Sequence, residues 1–255
     1  MIAYIGNDSG VIIGIPAAGS CDFKLIMANN FKPLVDWNQI ELLLLDMDGT
    51  LLDLHFDNHF WLEHVPRRYA EMHDLPPEAA REQLLARYQR IEGTLEWYCV
   101  DHWSRELGLD IAVLKAEVEH LISVHPHVVD FLQAMRAQGK RIVLVTNAHQ
   151  KSLELKLQRT RLGGYLDAAV CAHDLGLPKE MPQFWEKLQE VEPFDPQRTL
   201  FVDDSPSVLV SARAYGIRWL LRVLKPDTRA PARDADGFPA IHDFSELLPL
   251  GKHLR

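Results

Sequence analysis

Four aspartates carry most of the reactive potential of this sequence. Asp46 and Asp48 stand two residues apart in LLLLDMDGTLLD, and Asp203 and Asp204 are neighbours in FVDDS. Thr146 and Asn147 close the run RIVLVTN, and Lys179 lies in LGLPKE. In extended geometry Asp46 and Asp48 point the same way while Met47 points into a core. Gly49 permits a tight turn, and Thr50 can hydrogen-bond to it. Taken singly, each piece has a plain structural use: a turn, a helix cap, a solvated charge. Four carboxylates gathered at one sheet edge, however, repel one another unless a divalent cation sits among them. Oxygen-only ligands point to Mg²⁺ rather than zinc.

The elements that must gather them can be read from the punctuation. Ile40–Leu45, Arg141–Thr146, Ala168–Cys171, Thr199–Val202 and Ile217–Leu221 are short apolar runs, as expected of buried parallel strands. Helices are expected at Val128–Gln138, stopped by Gly139, and at Pro206–Tyr215. Strands alternating with helices imply a doubly wound α/β sheet, whose ligands bind beyond the strand ends, where all four motifs fall. Between the first two strands the segment from Asp53 to His125 is helical in spacing. Leu84, Tyr88, Ile91, Leu95 and Tyr98 share one helical face. The organisation read here is an extension over residues 1–35, an α/β core over 36–53 and 126–255, and a helical insert over 54–125. Met27 begins an ordinary-looking start, so residues 1–26 are expected to be dispensable. The tail from Pro226 to Pro239 reads as a loop, and Ile241–Leu250 as a last apolar stretch docked on the core.

Composition narrows the classes. The 255 residues are 47% hydrophobic and 25% charged, an ordinary globular balance. With 27 Lys and Arg against 36 Asp and Glu, the formal charge of −9 disfavours a nucleic-acid polymer as partner. Cys21, Cys99 and Cys171 are too dispersed for a disulfide framework or a zinc site. No apolar run reaches the ~20 residues of a membrane span, and no Lys or Arg precedes Lys24 to begin a signal peptide. A cytoplasmic location is expected.

DMDGTLLD, Thr146, Lys179 and FVDDS resemble, in order, the four motifs of the haloacid dehalogenase (HAD) superfamily. The likeness covers about Trp37 to Pro249. It implies a HAD-like Rossmannoid parallel-sheet core with an inserted helical cap domain. By that resemblance Asp46 is the nucleophile that forms an aspartyl-phosphate, and Asp48 the general acid and base. Thr146 and Asn147 would hydrogen-bond the phosphoryl oxygens, and Lys179 would pair with nucleophile and phosphate. Asp46, Asp203, Asp204 and the backbone carbonyl of Asp48 would hold Mg²⁺. A carboxylate nucleophile divides a very slow hydrolysis into two easier displacements, and Lys179 with Mg²⁺ neutralises the transferring group. An aspartate at position 48 fits phosphatases and phosphomutases rather than dehalogenases.

In this superfamily the insert selects the leaving group. DLHFDNHFW, WYCVDHWSRELGLD, LPKE and FVDDS together resemble the GMP/IMP nucleotidase family, which takes phosphate from purine 5′-mononucleotides. Trp97, Tyr98 and Trp103 either stack on a planar base or form the insert's own core. Asp57, Asn58, Asp101 and His102 could read ring edges or ribose hydroxyls. His55 and His59 share a helical face but lack a third metal ligand, so polar surface or substrate-facing roles are expected. His125 and His127 are expected to serve as turn and helix-start residues at the junction of insert and core. The small-molecule partner is thus a phosphomonoester, with a purine nucleotidase as the leading reading. A sugar-phosphate phosphatase or phosphomutase is the alternative, and a non-catalytic interaction protein is disfavoured by the intact motifs. The oligomeric state is not legible.

Overall fold

The computed structural model describes residues 34–248. The expectations for residues 1–26, for Cys21 and for the end of the apolar stretch at Leu250 lie outside the described residues. Six strands, β1 Leu42–Leu45, β2 Arg141–Thr146, β3 Ala168–Cys171, β4 Thr199–Asp203, β5 Trp219–Val223 and β6 Ala240–Ile241, form one sheet. Its order is β3-β2-β1-β4-β5-β6, and every neighbouring pair is parallel. The order reverses between β1 and β4, and this is the switch point outside which such sheets bind ligands.

Both faces of the sheet are covered, which is why β1 can be four leucines. Leu42 and Leu44 face one core with Val143, Val145, Phe201 and Trp185. Helices α9 (Pro182–Val191) and α10 (Pro206–Tyr215) contribute Leu188 and Leu209 to that layer. Leu43 and Leu45 face the other core with Leu144, Val202 and Phe131. That second layer is covered by α6 (Val128–Ala137) and by the turn Phe244–Leu247, whose Phe244 and Leu247 are buried, so the final apolar stretch docks as expected as far as it is described.

The segment between β1 and β2 is helical. It comprises α1 (His55–His59), a π-turn at Phe60–His64, α2 (Val65–His73), α3 (Pro77–Ile91), α4 (Val100–Leu107) and α5 (Ile111–Glu117). Its apolar residues join the second core. Two backbone bonds stitch its ends together: Asp53 N–H to Ser123 O at 3.0 Å and His125 N–H to Leu51 O at 3.0 Å. At this junction His125 bonds Pro226 O at 2.9 Å and His127 caps α6. The remaining helices, α7 (Gln150–Thr160) and α8 (Ala172–Leu175), follow β2 and β3. Among the described residues no helix is long and apolar enough to cross a membrane.

Three sequence expectations shift. The helical face drawn from Leu84 to Tyr98 ends at Ile91, because Gly93 takes φ +81° and Thr94 Oγ1 bonds Ile91 O at 2.7 Å; Tyr98 belongs to a separate turn. The first strand starts at Leu42 rather than Ile40, because Asp36 caps a turn over Trp37–Gln39 that Ile40 closes. The fifth starts at Trp219, since Ile217 N–H is still bound to Ala212 O of α10 at 3.1 Å.

Candidate active site

The ends of β1, β2 and β4 lie side by side, and each delivers one motif. Asp46 follows β1 and its N–H reaches Val202 O at 3.0 Å, which fixes it against β4. Asp203 closes β4, with Asp204 next to it. Asp46, Asp203 and Asp204 each offer an oxygen within 4.8 Å of the others, and all three are buried. Lys179, on the loop between α8 and α9, is 2% exposed. Its ammonium donates to Asp46 Oδ1 at 2.5 Å, Asp203 Oδ2 at 2.7 Å and Val145 O at 3.2 Å. Three donors thus meet three acceptors.

The electrostatics of this cluster follow from burial. Burial pushes Asp46 up to about 6 against the pull of Lys179, with Asp203 adding to the rise. Asp203 also rises to about 6, through burial opposed by Lys179. Asp204 rises to about 7, through burial and the charge of Asp46, with Arg233 opposing. For Lys179 burial works against the charge, but Asp203 and Asp46 outweigh it and hold the ammonium above the usual lysine range. Lys179 and Arg233, which reaches Asp204, are two cations against three crowded carboxylates, so one negative charge is left uncompensated. A hard cation among all-oxygen donors is the group that fits such a set.

Asp48 lies beside this group, near enough for the charge of Asp46 to act on it. The chain turns at Met47: Gly49 N–H bonds Leu52 O at 2.7 Å and Leu52 N–H bonds Met47 O at 2.8 Å. The Asp48 carboxylate therefore stands outside the three-oxygen group and accepts from Lys156 Nζ at 2.6 Å. Burial lifts it to about 6, with Lys156 opposing. Gly49 makes the turn possible: at φ +86°, a Cβ there would lie 2.8 Å from Asp204 Cγ and 2.9 Å from Pro226 Cβ. Thr50 does not brace the turn with its side chain; its buried hydroxyl has no hydrogen-bond partner among the described residues.

Thr146 Oγ1 accepts from Ala148 N–H at 3.0 Å, leaving its own hydrogen free for an incoming oxygen. Asn147 works mainly as a clamp. Its Oδ1 accepts from Lys179 N–H at 2.9 Å and its amide donates to Glu180 Oε2 at 2.9 Å.

Of the three aromatics from the insert, Tyr98 reaches this site: its hydroxyl donates to Glu180 Oε1 at 2.6 Å. Trp97 is half-buried and packs edge-on to Tyr98 at 4.8 Å. Trp103 is not presented to a ligand. It is 2% exposed, packs edge-on to Tyr88 at 4.9 Å, and donates its indole N–H to Trp97 O at 2.9 Å. Most of the polar residues expected to read a base or ribose are engaged internally. Asp57 is held by Lys115 and Lys156, Asn58 by Asp227, and Asp101 by Lys151. His59 pairs with Glu63 at 3.0 Å rather than with His55.

Sequence reading missed Lys156, Lys115, Glu180 and Arg233. Arg233 Nη1 bonds Asp204 Oδ2 at 3.0 Å from the loop after β5. The available signal for Lys156 was its register: it falls on the buried face of α7 with Ser152 and Leu153, where a lysine needs a partner.

Comparison with known proteins gives the family. The family model for haloacid dehalogenase-like hydrolases matches residues 40–216. The chain is 38% identical over 215 residues to the GMP/IMP nucleotidase YrfG of Escherichia coli (strain K12), covering 84% of this chain and 97% of that protein. It is 28% identical over 230 residues to a phosphoglycolate phosphatase of Pseudomonas putida, covering 87% and 83%. In fold it resembles a HAD phosphatase from Thermococcus onnurineus, with TM-score 0.69, 22% identity, and 82% and 96% of the two chains covered.

Proposed function

Since the chain belongs to the haloacid dehalogenase-like hydrolase family and is a phosphatase of that type, we propose that it is a Mg²⁺-dependent 5′-nucleotidase acting on purine mononucleotides such as GMP and IMP. The observation that carries the phosphatase chemistry is the Asp46–Lys179–Asp203 arrangement beside Asp204. The observation that favours a nucleotide is the identity to a GMP/IMP nucleotidase over nearly its whole length.

In this reading Asp46 attacks phosphorus with its free carboxylate oxygen while Lys179 fixes the other. The ester bond breaks, its electron pair stays on the leaving oxygen, and Asp48 supplies the proton. Water then attacks the aspartyl-phosphate, gives its proton to Asp48, and releases phosphate and the Asp46 carboxylate. Thr146 donates its hydroxyl to a phosphoryl oxygen, and Asn147 keeps the Lys179 loop in register. Asp46, Asp203 and Asp204, with the backbone carbonyl of Asp48, would hold Mg²⁺, which when bound neutralises charge on the transferring group. Trp97 and Tyr98, with Glu180, form the side of the site nearest the leaving nucleoside.

Phosphate release from GMP, IMP, AMP, UMP, phosphoglycolate and glucose 1-phosphate with Mg²⁺ tests the reading. GMP and IMP are expected to give the highest kcat/KM. A clear preference for phosphoglycolate or the sugar phosphate would overturn the nucleotide assignment while leaving the phosphatase intact.

A further inference from the structure

Lys156 lies on α7, outside all four motifs, yet its side chain is 1% exposed. Its ammonium donates to Asp48 Oδ1 at 2.6 Å and to Asp57 Oδ2 at 2.7 Å. Asp57 belongs to α1, the first helix of the insert, and its other oxygen accepts from Lys115 Nζ of α5 at 3.0 Å. Lys115 is itself 4% exposed, with its ammonium 4.5 Å from the Phe60 ring centre. The four groups alternate in sign, cation, anion, cation, anion, from the insert to the active-site turn. Two lysines are thus buried at a place where stability alone gives little reason to keep them, since well-packed apolar side chains commonly replace buried ion pairs without loss.

We propose that Lys156 is a positioning residue for proton transfer: anchored by Asp57 and Lys115, it pins one oxygen of Asp48 so that the other is free to pass its proton to the leaving group. Asp48 Oδ2 has no protein donor among the described residues, whereas Oδ1 is taken by Lys156. The carboxylate therefore cannot turn its two oxygens at random. As the phosphorus–oxygen ester bond breaks, its electron pair remains on the leaving oxygen, which takes the proton from Oδ2. The chain to Asp57 makes this placement depend on the seating of the insert, so that proton delivery is set by the same segment that contacts the leaving group.

The inference rests on the reading of Asp48 as proton donor, and the test separates the two. Phenyl phosphate and p-nitrophenyl phosphate are nearly equal in size, but only the first has a leaving group basic enough to need protonation as it departs. Their kcat/KM values report the first displacement alone. Asp48→Asn sets the scale, with phenyl phosphate expected to fall by ~10²-fold or more and p-nitrophenyl phosphate far less. Lys156→Met is expected to follow the same selectivity, losing about tenfold or more on phenyl phosphate and under about threefold on p-nitrophenyl phosphate. Asp57→Asn, which keeps the shape of the side chain, is expected to show the same bias at smaller size, and it decides the matter if Lys156→Met does not fold. Equal losses on both esters in the Lys156 and Asp57 variants, with selectivity kept in Asp48→Asn, would overturn the positioning role. Equal losses in Asp48→Asn itself would overturn the reading beneath it.

Discussion

In the proposed mechanism Asp46 is the nucleophile, and its surroundings fit a carboxylate acting there. Lys179 takes one of its oxygens, so the second is left to react. Asp46→Asn should lower turnover to below about a hundredth, because an amide lacks the charge of the nucleophile, while thermal unfolding stays close to that of the parent. Residual hydrolysis of several per cent would rule the nucleophile out. Gly49 is equally exacting. Gly49→Ala combines a left-handed backbone, costing ~1–3 kcal/mol for a side-chain-bearing residue, with a Cβ pressed to 2.8 Å from Asp204 Cγ. Denaturant unfolding should register that loss, and the Mg²⁺ concentration giving half-maximal rate should rise as Asp204 is displaced. An Ala variant with unchanged metal dependence would show that the turn does not set Asp204.

At the scale of elements, the hydrogen bonds that join insert and core include Tyr98 to Glu180 and Lys156 to Asp57, both beside the site. Tyr98→Phe removes one donor from the first. A hydrogen bond to a carboxylate contributes about 1.5–3 kcal/mol, part of which water restores at this half-buried position, so kcat/KM for GMP is expected to fall roughly two- to tenfold. Tm should fall by no more than a few degrees; a drop in Tm with unaltered kinetics would make the contact purely structural. The elements carrying Asp46, Thr146 and Asp203 were readable because parallel strands, covered on both faces, spell continuous apolar runs ending in a polar residue. What escaped were features set by distant contacts. The partner of Asp48, Lys156, stands over a hundred positions away, so nothing beside DMDG announced it. Trp103 and Trp97 look alike in sequence, and packing of Trp103 against Tyr88 and Trp61 decides which is enclosed. β6, two residues long, carries no period to detect.

For the molecule as a whole, a site at the switch point of the sheet gathers three buried carboxylates that Lys179 and Arg233 do not fully balance. Mg²⁺ that binds the folded chain and not the unfolded one should therefore stabilise it, by about 2.7 kcal/mol at a hundredfold excess over Kd. Chelation should abolish activity and lower Tm, and added Mg²⁺ should restore both. Activity that survives exhaustive chelation would remove the metal from the account. The most direct test of the central claim is to quench the enzyme in acid while it turns over GMP radiolabelled in its phosphate, and then to map the label. The account predicts a hydroxylamine-labile acyl phosphate on the peptide containing Asp46, absent from Asp46→Asn. Label on a different residue, or undiminished turnover by Asp46→Asn, would contradict it.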